Sequence, residues 1–186
     1  MRETNRRRVL DARHVRRTIR RMASQIAEGC ADASQLALVA IGGGGIPLAA
    51  RLAGEVRAIL DDEVPVGILD VTLYRDDLSY HSKPVLTETR LDFGVDKKTI
   101  VLVDDVLFTG RTIRAALDAL MEYGRPDIVR AATLVDRGHR ELPVRADYVG
   151  VWLDTVHDDA VEVNLGETDG DEDAVYVVSS GGGDAG

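Results

Sequence analysis

The chain has 186 residues, of which 45% are hydrophobic, and a formal net charge of −9 at pH 7. That is enough apolar material for one sizeable core, and no apolar run is long enough to span a bilayer; the arginine-rich start also lacks the apolar segment of a secretory signal. Cys30 is the sole cysteine, so no internal disulfide can form, and two Phe and one Trp leave little aromatic surface for stacking on single-stranded nucleic acid.

Charge is concentrated at the start. Nine arginines against Glu3 and Asp11 give the first 21 residues a balance of +7, leaving −16 on the remainder. Val15, Ile19, Met22, Ala23 and Ile26 recur at helical spacing, which turns Arg16, Arg17, Arg20 and Arg21 toward solvent. Such a face is either an ordinary solvated surface or a surface for a polyanion such as RNA.

Leu36 to Ile41 reads as a buried strand and Ile46 to Leu60 as a helix, with Gly42, Gly43, Gly44 and Gly45 as the loop between them. A dinucleotide-binding reading of these glycines is weak, because Pro47 stands where the last glycine of that fingerprint belongs. Val66 to Tyr74 and Thr99 to Val103 read as further strands.

The second of these runs into Asp104-Asp105-Val106-Leu107-Phe108-Thr109-Gly110-Arg111-Thr112, a carboxylate pair followed by a Thr/Gly loop that opens a helix. Free N–H groups at the helix start and the hydroxyls of Thr109 and Thr112 suit a phosphate. Like charge keeps the phosphate away from Asp104 and Asp105, which suit sugar hydroxyls or a divalent cation. A plain helix cap is the blander alternative. A Walker loop is excluded, since it ends in Gly-Lys-Ser/Thr and this loop ends in Gly110-Arg111-Thr112.

Thr112 to Tyr123 is expected to be a helix, ended by Gly124 and Pro126. Val129 to Val135 and Asp147 to Trp152 continue the strands, and Ala160 to Leu165 with Ala174 to Val178 form a terminal hairpin. Asp169, Asp171 and Asp173 imitate the start of a calcium loop, but Ala174 and Ser180 replace its glycine and glutamate, so a solvated turn is expected. His14, His81 and His157 lack metal-ligand spacing. Strands alternating with helices imply an α/β fold, with a mostly parallel central sheet flanked by helices and ligands at the carboxyl ends of its strands. A single domain over residues 1–178 and a disordered Gly/Ser-rich tail over 179–186 are expected.

The Asp104 to Thr112 stretch resembles the phosphoribosyl pyrophosphate (PRPP) motif of type I phosphoribosyltransferases. Two further segments, Asp70 to Ser79 and Leu134 to Tyr148, resemble the PyrR family of pyrimidine-operon regulators and uracil phosphoribosyltransferases, and the likeness runs from about Arg16 to about Tyr176. The resemblance implies a type I phosphoribosyltransferase fold with a mobile hood that starts at Arg75, an arginine placed to stabilise a leaving pyrophosphate. It implies that Asp104 and Asp105 hold the ribose hydroxyls and reach Mg²⁺ indirectly, through PRPP. Thr109, Gly110, Arg111 and Thr112 would bind the 5′-phosphate of PRPP or UMP, and Val135, Asp136, Arg137 and Gly138 would receive uracil. Arg16, Arg17, Arg20, Arg21, His139 and Arg145 would contact the mRNA leader of the pyrimidine operon.

The implied activity is transfer of phosphoribosyl from PRPP to uracil, giving UMP and pyrophosphate, together with UMP-dependent RNA binding that attenuates transcription. A cytoplasmic homodimer or larger homo-oligomer, with no membrane partner, goes with it. One departure falls on the pyrophosphate loop, where the family shows a basic residue, Thr, Arg and Gly and this chain has Gly42 to Gly45. Two alternatives therefore stand beside the main reading: a regulator with little or no catalysis, and a transferase acting on another base.

Overall fold

The computed structural model describes residues 4–75, 88–166 and 172–180. Five strands form the central sheet: β2 (Leu36–Ile41), β3 (Val66–Leu69), β4 (Thr99–Leu107), β5 (Ile128–Asp136) and β6 (Tyr148–Trp152). Their order is β3-β2-β4-β5-β6, and every neighbouring pair is parallel. All six residues of β2 are buried, as an apolar strand covered on both faces must be.

Helices α1 (Ala12–Glu28) and α2 (Gly42–Leu60) cover one face, where Val15, Ile19, Met22, Leu48 and Leu52 pack with Leu38, Val101 and Leu134. Helix α3 (Arg111–Leu120) covers the other, through Ile113, Ala116 and Leu120 against Val39, Ile100 and Leu102. The alternation of inward-facing residues along each strand separates the two cores. The α1 amphipathic pattern is as expected, and Asp11 caps the helix by accepting the His14 amide at 2.9 Å.

A second, antiparallel sheet has the order β1-β8-β7, built from β1 (Thr4–Leu10), β7 (Ala160–Asn164) and β8 (Ala174–Ser180). The hairpin of β7 and β8 was legible in the sequence; β1 was not, because three consecutive arginines mask it. Arg6 stays in a strand by laying its guanidinium 3.5 Å from the Tyr176 ring centroid and donating to Glu162 at 2.9 Å.

Several boundaries differ from expectation. The third strand stops at Leu69 rather than Tyr74: the Asp70 carboxylate accepts the Thr72 amide at 2.7 Å, and Thr72–Tyr74 turn as a 3-10 helix. β4 continues to Leu107 because β5 runs beside it, pairing Asp104 with Thr133 and Leu107 with Asp136. The four glycines are not a loop but the first turn of α2. The expected disordered tail begins too early at 179, since Ser179 and Ser180 pair with Asn5 and Thr4; residues 181–186 lie outside the described residues. So do His81, most of the expected hood (76–87) and most of the acidic turn (167–171). Among the described residues, no helix is long and apolar enough to cross a membrane.

Candidate active site at the carboxyl end of the parallel sheet

β2 and β4 lie side by side with Ala40 opposite Val103, so the helices that follow them start next to each other. Neither helix has a side-chain cap: Ile41 precedes α2 and Gly110 precedes α3. The first-turn amides of α2, and those of α3 after Arg111, are therefore open to an anion, with the positive ends of two helix dipoles behind them. Gly45 lets α2 approach this closely, because a Cβ there would stand 2.4 Å from the Val103 carbonyl oxygen. Gly110 has φ +93°, a left-handed conformation, and a Cβ there would press on Val144 at 3.1 Å.

Between the two helix starts stand Asp104 and Asp105. Asp104 is 7% exposed and its Oδ1 accepts the Asp105 amide at 3.1 Å; Asp105 Oδ1 accepts the Val106 amide at 2.9 Å. Burial pushes the Asp104 carboxyl well above the usual carboxylate range, the neighbouring Asp105 charge pushes it further, and Arg75 pulls against both. Burial raises Asp105 as well. Arg75, at the entrance to the expected hood, is thus within electrostatic reach of the acid pair. A desolvated pair of this kind suits a cation carried on a ligand's own oxygens; among the described residues no three His, Cys, Asp or Glu side chains gather to cage a metal.

In the α3 loop, Thr109 Oγ1 accepts the Arg111 amide at 3.4 Å, while the Arg111 Nε turns away to Glu141 at 2.8 Å.

The segment after β5 is organised by arginines. Val135 is buried in the core shared with α1 and α2, so only its main chain can meet a ligand. The Arg137 guanidinium donates to the Asp159, Val156 and His157 carbonyls at 2.6, 2.9 and 3.1 Å, and lies 4.1 Å from the Phe108 ring centroid. It fastens the turn after β6. Asp136 accepts the Gly138 amide at 3.0 Å and is also bound by Arg140. Arg140 reaches the Phe108 carbonyl at 2.6 Å, Gly138 at 3.0 Å and Val144 at 2.9 Å. The rings of Phe108, His139 and His157 meet pairwise at 5.3 to 5.9 Å, and His139 Nε2 lies 2.7 Å from the Thr155 carbonyl oxygen.

Sequence reasoning assigned no site role to Phe108, Arg140, Thr155 or His157. Phe108 carried a signal, an aromatic residue inside an otherwise polar loop; the others act through partners as many as 32 residues away.

The six arginine and histidine positions assigned to RNA do not share one surface of the chain. Arg16 and Arg17 are exposed on α1. Arg20 bonds Glu55 at 3.2 Å, and Arg21 covers the edge of β6 by donating to the Val149 carbonyl at 3.3 Å and to that of Gly150. Arg145 is exposed beside Val144 and Ala146, which pack on the α3 face, opposite α1. His139 sits at the carboxyl end of the sheet, in the ring cluster.

The phosphoribosyl transferase domain family matches residues 5–167. A bifunctional protein PyrR from Roseiflexus sp. (strain RS-1) is 51% identical over 171 residues, covering 91% of this chain and 93% of that protein. Another from Deinococcus deserti is 52% identical over 163 residues, covering 87% and 89%. Among solved structures, a hypoxanthine-guanine phosphoribosyltransferase from Bacillus anthracis superposes with a TM-score of 0.69 at 18% identity, covering 95% of this chain and 99% of that one. A Trypanosoma cruzi hypoxanthine phosphoribosyl transferase gives 0.70 at 16%, covering 93% and 91%. These structures share the fold.

Proposed function

We propose, from the fact that this chain belongs to the PyrR family of phosphoribosyl transferases, that it transfers phosphoribosyl from PRPP to uracil and regulates pyrimidine-operon expression by binding RNA when UMP is bound. One observation supports the transfer reading above the rest: two uncapped helix starts bracket a buried carboxylate pair at the ends of adjacent parallel strands. The ligand that matches has a diol between two anionic groups, as PRPP does, with its 5′-phosphate on α3 and its pyrophosphate on α2.

In the reaction the anomeric C–O bond breaks, the pair of electrons leaves with pyrophosphate, and uracil nitrogen forms the new C–N bond while its proton passes to solvent. Positive charge grows on the ribose and negative charge on the leaving group. Asp104 and Asp105 hold the hydroxyls next to the growing cation, and Arg75 steadies the pyrophosphate. Asp104 and Asp105 would stand beside a Mg²⁺ ion brought in with the ligand, and that ion would supply neutralisation of phosphate charge. Asp136, Arg137 and Gly138 present the loop that receives uracil, mainly through main-chain groups, since the Arg137 side chain is committed to residues 155–159.

A pyrophosphate-release assay with Mg²⁺, PRPP and a panel of bases tests this. Release with uracil alone is expected, and the Asp104→Asn/Asp105→Asn double variant should fall at least about a hundredfold. Unchanged release in that variant, or preference for a purine, overturns it. A second reading, a regulator with weak catalysis, draws on the α2 turn, where Gly42 and Gly43 offer amides to pyrophosphate but no side chain. UMP-dependent RNA retention with no pyrophosphate release would favour that reading.

A further inference from the structure

We propose that Gly44 is the positioning residue for Asp105: the missing side chain at this point of the first turn of α2 is the seat of the second carboxylate. A Cβ built on Gly44 would stand 2.5 Å from Oδ2, 2.6 Å from Cγ and 2.8 Å from Oδ1 of Asp105. All three distances lie inside hard contact, so the carboxylate and a side chain at 44 cannot share this space.

The four glycines are not equivalent. Gly45 answers to the main chain, since its Cβ would strike the Val103 carbonyl oxygen; Gly42 and Gly43 have nothing within 4 Å of an added Cβ. Gly44 alone is shaped to the Asp105 side chain. Asp105 is held from the other side as well, because its Oδ1 accepts the Val106 amide at 2.9 Å. Between that bond and Gly44 the carboxylate rests at the start of α2, near the positive end of its dipole. A side chain at this position would displace the carboxylate from where it stands; here glycine and aspartate are a matched pair. For its catalytic consequence the inference rests on the phosphoribosyl-transfer reading, whereas the seat itself does not.

The test is a cycle of Gly44→Ala, Asp105→Ala and the double variant, with Gly54→Ala as control. Gly54 lies on the same helix, and an added Cβ there meets nothing within 4 Å. Gly44→Ala should lower kcat/KM for PRPP about tenfold or more when Asp105 is present, by displacing a group that must be placed to within about an ångström. With Asp105→Ala already made, it should lower it no more than about twofold. Gly54→Ala should match the parent. Equal losses in both backgrounds, or no loss in the first, would overturn the proposal.

Side-chain ¹³C NMR of the ligand-free protein supplies a readout independent of turnover: the Asp105 carboxyl resonance and its titration midpoint should move in Gly44→Ala and stay in Gly54→Ala. An unmoved resonance overturns the seat. Absence of pyrophosphate release from the parent protein, with the resonance moved as expected, counts against the transfer reading and upholds the seat.

Discussion

The Arg140 guanidinium donates to the carboxylate of Asp136, a side chain with no exposure to solvent. The same guanidinium ties the Phe108, Gly138 and Val144 carbonyls, so one residue joins the end of β5, the loop before α3 and the segment proposed to receive uracil. Arg140→Ala leaves a buried carboxylate without its cation, and breaking a buried pair in this way costs about 3–5 kcal/mol. Urea unfolding should show that loss, together with a higher KM for uracil. Arg140→Lys should recover only part of it, because an ammonium cannot reproduce the fork that spans these acceptors.

Asp104 illustrates a conflict between stability and function. Its folded carboxyl titrates above the unfolded value, first through burial and then through the charge of Asp105, so the stability it contributes is present at low pH and is lost as pH rises through the folded value. At pH values above the ordinary carboxylate range the buried acid therefore costs the ligand-free protein stability. Asp104→Asn should raise stability at pH 7 by about 1 kcal/mol, or ~2–4 °C in Tm for a chain of this size, while lowering turnover. The stability gain should shrink as pH falls toward the ordinary carboxylate range, because a raised carboxyl is neutralised before its unfolded counterpart. A fall in Tm at pH 7 would contradict the assignment of burial as the dominant cause.

The acid pair at the end of β4, the glycine turn before α3 and the parallel sheet could be read from the sequence because each depends on near neighbours: an apolar β-branched run, then acids, then a glycine turn. The antiparallel sheet was half visible. The β7–β8 hairpin is a local pattern, whereas β1 is a strand through its pairing with β8, far along the chain, where Tyr176 and Glu162 also accommodate Arg6. The same distinction holds at the site. Asp104 and Asp105 announce themselves, but the work of Arg140 and Arg137 is set by carbonyls on other loops, and no spacing rule points to them. The glycine run misled for a related reason: glycine is a poor helix former, and here close packing on Val103 outweighs propensity.

Arg51 and Asp173 link α2 to the entry of β8 through two bonds of 2.6 and 2.9 Å, and Asp173 also accepts the Gly166 amide at 3.0 Å. The Arg51 hydrogen bond lowers the Asp173 carboxyl below its usual value, so this pair contributes stability above the unfolded pKa and loses it as pH falls through the folded value. Acid denaturation should accordingly begin earlier in Asp173→Asn, which retains the shape but weakens the charge-assisted bonds. A loss of about 1–3 kcal/mol at pH 7 is expected by urea titration, shrinking below pH 4. A pH-independent difference would assign the pair a packing role only.

The arginines of α1 separate into two kinds, and RNA binding should distinguish them. Arg21 donates to the carbonyls of edge strand β6 and Arg20 to Glu55, so both have structural duties; Arg16 and Arg17 are exposed on the same helix. If the helix face meets phosphates, each neutralised phosphate contributes roughly 0.7–0.9 to the slope of log affinity against log salt. Arg16→Gln/Arg17→Gln should reduce that slope by roughly 1.4–1.8 in a UMP-saturated binding assay and leave Tm within about 2 °C of the parent. Arg21→Gln should do the reverse in part, lowering Tm as the β6 edge loses its donor. A salt slope that is the same in the parent and in Arg16→Gln/Arg17→Gln would move the RNA surface off α1 and toward the segment between β5 and β6 that carries His139 and Arg145.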